Sequence, residues 1–240
     1  MDKESFFIEM KNELDNIELE VEEKSILKFY NFMKLLIDWN NKINLTAIIE
    51  PKEIIIKHFI DSLSIDKYIK QNLKVIDIGT GAGFPAIPLK IVNPKINFTL
   101  LDSLSKRINF LKELIYIIDL QGVETIHARA EDLGINREYR QMYDTAVSRA
   151  VAPLNVLMEY LLPFVKVGGN VICMKGSNFK EELKQAEKAI NILGGRIKKI
   201  DELILGNTDI KRSIIIIEKV KNTPEKYPRK AGIVKKIPII

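Results

Sequence analysis

Between residues 73 and 193, short β-rich runs alternate with helical patterns, an order that few folds accommodate. The runs are 73–78 (LKVIDI), 96–101 (INFTLL), 123–127, 143–148 (YDTAVS) and 170–174 (NVICM). Residues 85–93, 103–119, 154–162 and 178–193 read as helices. Strands separated by helices run parallel, and a parallel sheet needs helices over both faces. The alternation then breaks. Residues 196–205 and 213–219 (SIIIIEK) are strand-like, and the loop between them, with Gly206, Asn207 and Asp209, leaves no room for a helix. They therefore form an antiparallel hairpin. The expected fold class is α/β: a doubly wound, mostly parallel sheet that ends in an antiparallel hairpin.

The first 70 residues carry no strand signal. Residues 22–40 place Ile26, Leu27, Phe29, Tyr30, Met33, Leu36 and Ile37 at spacings of three and four, the mark of an amphipathic helix. Residues 4–14 read as a shorter helix and 51–70 as another, with Pro51 suited to its first turn. The expected organisation is a helical extension over 1–70, an α/β domain over 71–220 and a tail over 221–240.

With 46% hydrophobic and 29% charged residues, the chain has enough apolar material for a sizeable core, so disorder is excluded for most of it. Its one cysteine, Cys173, sits in a predicted buried strand and precludes an internal disulfide. No apolar run approaches the roughly 18 residues of a membrane span. Residues 1–20 are acidic and lack the basic start of a signal peptide, so the expected compartment is the cytoplasm. Charge is uneven. Residues 221–240 hold six basic residues against Glu225, a net +5, so the first 220 sum to zero. Such a tail is either a phosphate contact or a solvated end, and charge alone does not choose.

The segment Asp77-Ile78-Gly79-Thr80-Gly81-Ala82-Gly83-Phe84-Pro85 joins the first strand of the alternation to a helix. Glycines there allow a tight turn and close approach of a ligand. A dinucleotide fingerprint, G-x-G-x-x-G, would place glycine where Phe84 stands. Acid-x-G-x-G-x-G is instead the pattern associated with S-adenosylmethionine-dependent methyltransferases. That cofactor has no pyrophosphate; its amino-acid group and sulfonium are accommodated by backbone carbonyls and a nearby carboxylate. Asp102 ends the next strand, 23 residues after Gly79. A carboxylate there can accept from both ribose hydroxyls or cap the following helix. Ala130-Glu131-Asp132 follows the third strand, where a backbone amide and an acid can meet an adenine, or where two acids simply favour a helix start. Ser148-Arg149 ends the fourth strand on the carboxyl edge, where ligands bind in open sheets; an ordinary ion pair is the alternative for Arg149. The two histidines, His58 and His127, show no metal-ligand spacing.

Over essentially its full length the chain resembles the glucose-inhibited division protein B family. The matching residues are Trp39-Asn40 with Asn44-Leu45-Thr46, His58 through Leu63, and Asp77 through Pro85. Ala128-Arg129-Ala130-Glu131, Ser148 through Ala152 and Tyr227 through Gly232 complete them. The resemblance implies an S-adenosylmethionine-dependent enzyme that methylates small-subunit (16S) ribosomal RNA at guanine-N7, on a class I methyltransferase (Rossmann-like) sheet. It places Gly79, Phe84, Ala130, Glu131 and Arg149 around the cofactor, and the glycine and ribose arguments add Gly81 and Asp102. The expected partner is 16S ribosomal RNA or the small ribosomal subunit, with the chain acting as a monomer and no membrane involved.

Guanine N7 has a free lone pair, so no catalytic base is required. In keeping with this, no N-P-P-Y-type motif and no cysteine follow the fourth strand. Arg149, Lys175 and the basic tail are the candidates for RNA contact. Two other readings stand beside this one: a nicotinamide-dependent oxidoreductase, and a non-catalytic RNA-binding protein that uses the tail.

Overall fold

The computed structural model describes residues 1–149 and 152–240; Ala150 and Val151, inside the Ser148–Ala152 motif, lie outside the described residues. Helices α1 (Lys3–Asn16) and α2 (Glu23–Asn40) open the chain. The expected single helix over 51–70 is instead a composite. It has α-helical ends, α3 (Pro51–Ile54) and α4 (Asp61–Leu63), around a π-helical turn, Ile55–Ile60, followed by a 3-10 turn at Asp66–Tyr68. Periodicity alone does not separate these helix types.

The alternating part comprises β1 (Lys74–Ile78), α5 (Ala86–Val92), β2 (Asn97–Asp102), α6 (Ser105–Ile117) and β3 (Val123–His127). It continues through α7 (Ala130–Leu133), β4 (Tyr143–Arg149), α8 (Leu154–Leu161), β5 (Val165–Lys175) and α9 (Phe179–Ile192). The hairpin is β6 (Gly195–Ile204) and β7 (Lys211–Lys219), and α10 (Ile233–Lys236) lies in the tail. The seven strands form one sheet in the order β3-β2-β1-β4-β5-β7-β6. Strands β1 to β5 pair in parallel, and β7 runs antiparallel to both β5 and β6. β5 starts earlier than the expected 170–174: Tyr143 pairs with Val165 but Thr145 with Asn170, so the extra β5 residues form an irregularity around Gly168 and Gly169.

Burial explains the place of β7. Ile214 and Ile216 point into one core, and Ile215 and Ile217 into the other. A strand apolar on both faces belongs inside a sheet, whereas the mostly exposed β6 is its edge. One core gathers Phe6, Phe29, Phe32 and Phe59 from the N-terminal helices with Phe84, Phe98 and Phe110. The helices of residues 1–70 thus pack directly on the sheet. The other core gathers α8, α9 and the tail residues Tyr227 and Val234 over the opposite face. Cys173 is buried there, and burial pushes its thiol up to about 12, so it is an inert apolar filler.

β1 pairs with β2 on one side and β4 on the other. The chain order reverses at this point, which makes it the topological switch where open α/β sheets take ligands beyond the carboxyl ends of their strands. Among the described residues, no helix is long and apolar enough to cross a membrane.

Candidate functional site

At the switch, the glycine loop is tied to the end of β2. The N–H groups of Gly79 and Thr80 donate to the Leu101 carbonyl, at 2.8 and 3.1 Å. Gly81 donates its N–H to Asp102 Oδ2 at 2.9 Å. Gly83 carries φ +91°, and a Cβ on it would lie 2.6 Å from Ile87 Cγ1, so the third glycine of the motif lets the loop press against α5. Gly81 differs: its φ is +62°, but a Cβ there would meet only the Gly79 carbonyl, at 4.0 Å. Its empty side faces a cavity of about 660 Å³.

All seven residues singled out in the sequence, Gly79, Gly81, Phe84, Asp102, Ala130, Glu131 and Arg149, line this cavity. Asp102 lies at the edge of the cavity and just ahead of α6. Its Oδ1 accepts the Leu104 N–H at 2.9 Å, opening α6, while Oδ2 faces the cavity and also takes Arg107 Nη1 at 3.2 Å. The start of α7 has no side-chain cap, so its leading N–H groups are available, and Glu131 stands beside the Tyr160 phenol. Burial and that carboxylate raise the Tyr160 pKa well above its usual value.

Asp77, the acid of the motif, does not line the cavity. It is fully buried behind the loop, accepting from Thr80 Oγ1 at 2.8 Å and from the Ala86 N–H at 3.4 Å. Burial raises its pKa to about 7, and its Oδ1 has no hydrogen-bond partner among the described residues. Asp77 therefore shapes the loop from inside, and the carboxylates facing the cavity are Asp102 and Glu131.

Arg149 is not a surface ion pair. Its guanidinium lies 4.7 Å from the centre of the Phe84 ring and donates to Asp61 Oδ2 at 3.2 Å and to the Lys57 carbonyl at 3.1 Å. Its Nη2 reaches His58 Nδ1 at 3.1 Å. The same Nδ1 lies 3.1 Å from the Lys57 carbonyl, and Nε2 lies 2.8 Å from Thr46 Oγ1. Burial, and after it the Arg149 charge, push the His58 pKa down to about 3. The neutral ring stacks on Phe84 with centroids 4.5 Å apart. His58 belongs to the cavity wall, and the π-helical turn that carries it has no distinct sequence signature. The Asn40 side chain accepts the N–H groups of Leu45 and Thr46, at 2.8 and 2.9 Å, which fixes the loop that meets His58.

His127 takes no part; its Nε2 sits 3.1 Å from the Ser103 carbonyl. Lys175 is held by Glu182 at 2.6 Å and the Ala152 carbonyl at 2.7 Å, in the wall of a neighbouring cavity that it shares with Arg149 and His58. Arg107 and Tyr160 line the cavity without having been singled out by the sequence; Gly232, the end of the Tyr227–Gly232 motif, and Lys235 of the basic tail line it too. A second cavity of about 600 Å³ opens beyond Arg149 and His58, with Asp61 and Arg212 in its wall. Asp61 is buried between two cations, since Arg212 Nε donates to its Oδ1 at 2.8 Å.

The site thus offers a glycine loop with room for close contact, two carboxylates, an uncapped helix start and an aromatic wall. This set suits a nucleoside bearing a cationic aliphatic arm.

Comparison with known proteins agrees. The family model described as rRNA small subunit methyltransferase G matches residues 25–213. A protein of Alkaliphilus oremlandii named ribosomal RNA small subunit methyltransferase G is 52% identical over 232 residues, 96% of this chain and 97% of its own length. The same-named protein of Clostridium novyi is 49% identical over 243 residues, the whole of both chains. Among solved structures, a SAM-dependent methyltransferase from Aquifex aeolicus superposes with a TM-score of 0.53 at 16% identity, over 76% of this chain and 98% of that one. TYW2 of M. jannaschii, in complex with AdoMet, gives 0.53 at 14% identity, over 67% of this chain and 77% of that one. At such identities these structures establish the fold.

Proposed function

The chain belongs to the rRNA small subunit methyltransferase G family and is an S-adenosylmethionine-dependent rRNA methyltransferase; on that premise we propose that it methylates guanine at N7 in 16S ribosomal RNA. The observation that carries this reading is the convergence of the glycine loop, Asp102 and Glu131 on one cavity at the switch point. Membership in this family sets aside the nicotinamide oxidoreductase and the non-catalytic RNA-binding protein.

Gly79 and Gly81 admit the cofactor to the backbone, and Asp102 accepts from a ribose hydroxyl. The start of α7, with Ala130 and Glu131, meets the adenine. Phe84 and Arg149 form the wall at the reacting end. Residues 71–220 carry the reaction, 1–70 extend the site through Thr46 and His58, and 221–240 are the tail.

When bound, S-adenosylmethionine supplies an electrophilic methyl group on its sulfonium. The chain's contribution is alignment, which can provide roughly 7–11 kcal/mol. N7 attacks with its own lone pair, so no proton has to be removed first. His58, with a pKa of about 3, is a poor base at neutral pH, and guanine N7 is an acceptor that needs none. The second cavity, across Arg149 and His58, is the space for the guanine. N7 lies on the major-groove edge, which is inaccessible in A-form RNA, so the target sits in a loop or an incompletely assembled particle. The chain acts as a monomer in the cytoplasm.

Small subunits and bare 16S RNA from cells lacking the gene provide the test. Incubation with labelled S-adenosylmethionine and nucleoside analysis should give 7-methylguanosine as the labelled product. Label in any other nucleoside, or none, would overturn the N7 assignment.

A further inference from the structure

The tail does not behave as a solvated basic arm. Arg229 is clamped by Glu159, which is 0% exposed. The Arg229 backbone N–H donates to Glu159 Oε1 at 2.7 Å, Nε to the same oxygen at 2.9 Å, and Nη2 to Oε2 at 2.7 Å. Arg140 holds the preceding stretch, its guanidinium donating to the carbonyls of Thr223 and Tyr227, both at 2.7 Å. At the root of the tail the buried Lys219 ammonium donates to Thr223 Oγ1 at 2.5 Å, and Thr223 donates to the Leu193 carbonyl at 2.7 Å. Tyr227 and Val234 are buried in the core over α8. Side chains on three elements thus fix the tail's course. That course brings Gly232 and Lys235 into the wall of the 660 Å³ cavity, beside Ala130, Glu131 and Tyr160.

We propose that the tail is a structural wall of the nucleoside site, in which Lys235 covers the bound S-adenosyl nucleoside and the Glu159–Arg229 clamp sets its position. The inference rests on S-adenosylmethionine occupying this cavity. Its physical basis is twofold. A lysine stem buries its methylenes over an apolar or aromatic surface while the ammonium stays in water. The clamp, a bidentate pair on a buried carboxylate, is the strong kind of ion pair and holds the segment in one geometry. The family model ends at residue 213, before this segment. Arg229 has its Nε and Nη2 committed to Glu159, whereas Lys221, Lys226, Lys230 and Lys236 are exposed and carry the tail's charge open to RNA.

The test compares two neighbouring lysines of one short helix. Lys235→Ala and Lys236→Ala each remove one charge, but only Lys235 lines the cavity. S-adenosylhomocysteine is titrated calorimetrically into the full chain and both variants, with melting temperatures recorded. The expected result is a three- to tenfold weaker affinity for Lys235→Ala, no change for Lys236→Ala, and unaltered melting in both. Arg229→Ala should weaken binding at least as much, with a lowered melting temperature. Equal affinities for Lys235→Ala, Lys236→Ala and the unsubstituted chain would overturn the inference, as would equal losses in the two lysine variants. Absence of binding by the unsubstituted chain would overturn the cofactor reading itself, and the inference with it.

Discussion

Gly81→Val should abolish S-adenosylmethionine binding and leave a folded protein. A Cβ at this position meets nothing nearer than the Gly79 carbonyl at 4.0 Å, so the core does not resist the substitution. The isopropyl group instead projects into the cavity where the cofactor must approach the backbone. The φ of +62° is unfavourable for a β-branched residue by roughly 1–2 kcal/mol. For a chain of this size that lowers the melting temperature by about 2–8 °C. Calorimetry should show no heat of binding while circular dichroism shows a cooperative melt. Gly81→Ala should fall between the two. Unchanged binding by the valine variant would remove this loop from the site. Gly83→Val would not make the same test, because its Cβ would collide with Ile87 and disturb the packing of α5.

Asp102→Ala should weaken cofactor binding at least tenfold. Hydrogen bonds to a charged partner contribute about 1.5–3 kcal/mol each, and about 1.4 kcal/mol is a factor of ten. Asp102 is 2% exposed, and its carboxylate already holds the N–H groups of Gly81 and Leu104. Arg107 Nη1 takes a third position, and a carboxylate has about four lone-pair sites, so one is left for a ribose hydroxyl. Alanine therefore removes the ribose acceptor and loosens the glycine loop together. Asp102→Asn keeps one oxygen and should lose less. A change below threefold in a folded Asp102→Ala protein would leave Asp102 as the opening turn of α6 alone.

Much of this architecture was legible in the amino-acid order because it rests on periodicity. The alternation of period 2 and period 3.6 places the strands and helices, and the SIIIIEK run fits an inner strand. Gly79, Gly81, Asp102, Ala130, Glu131 and Arg149 were legible for a related reason: they sit at strand ends and helix starts, where ligands bind in open sheets, whereas Phe84 came from the family resemblance alone. Features that depend on distant partners were not. Arg149 pairs with Asp61, 88 residues away, and Arg212 reaches the same carboxylate across 151. Nothing in the neighbourhood of Lys175 announces Glu182 as its partner. The tail reads as a loose basic segment, since its anchor, Glu159, lies in the middle of an apolar helix 70 residues earlier. Asp77 is the acid of the motif, but it lies behind the loop.

The central claim is that the cavity at the β1–β4 switch holds S-adenosylmethionine. Amide hydrogen exchange with and without saturating S-adenosylhomocysteine tests it most directly. Slowed exchange is expected in peptides covering 79–84, 102–107 and 130–133, with no change in β6 at the far edge of the sheet. Saturable binding that leaves these three segments unprotected, or protects β6 instead, would contradict the account.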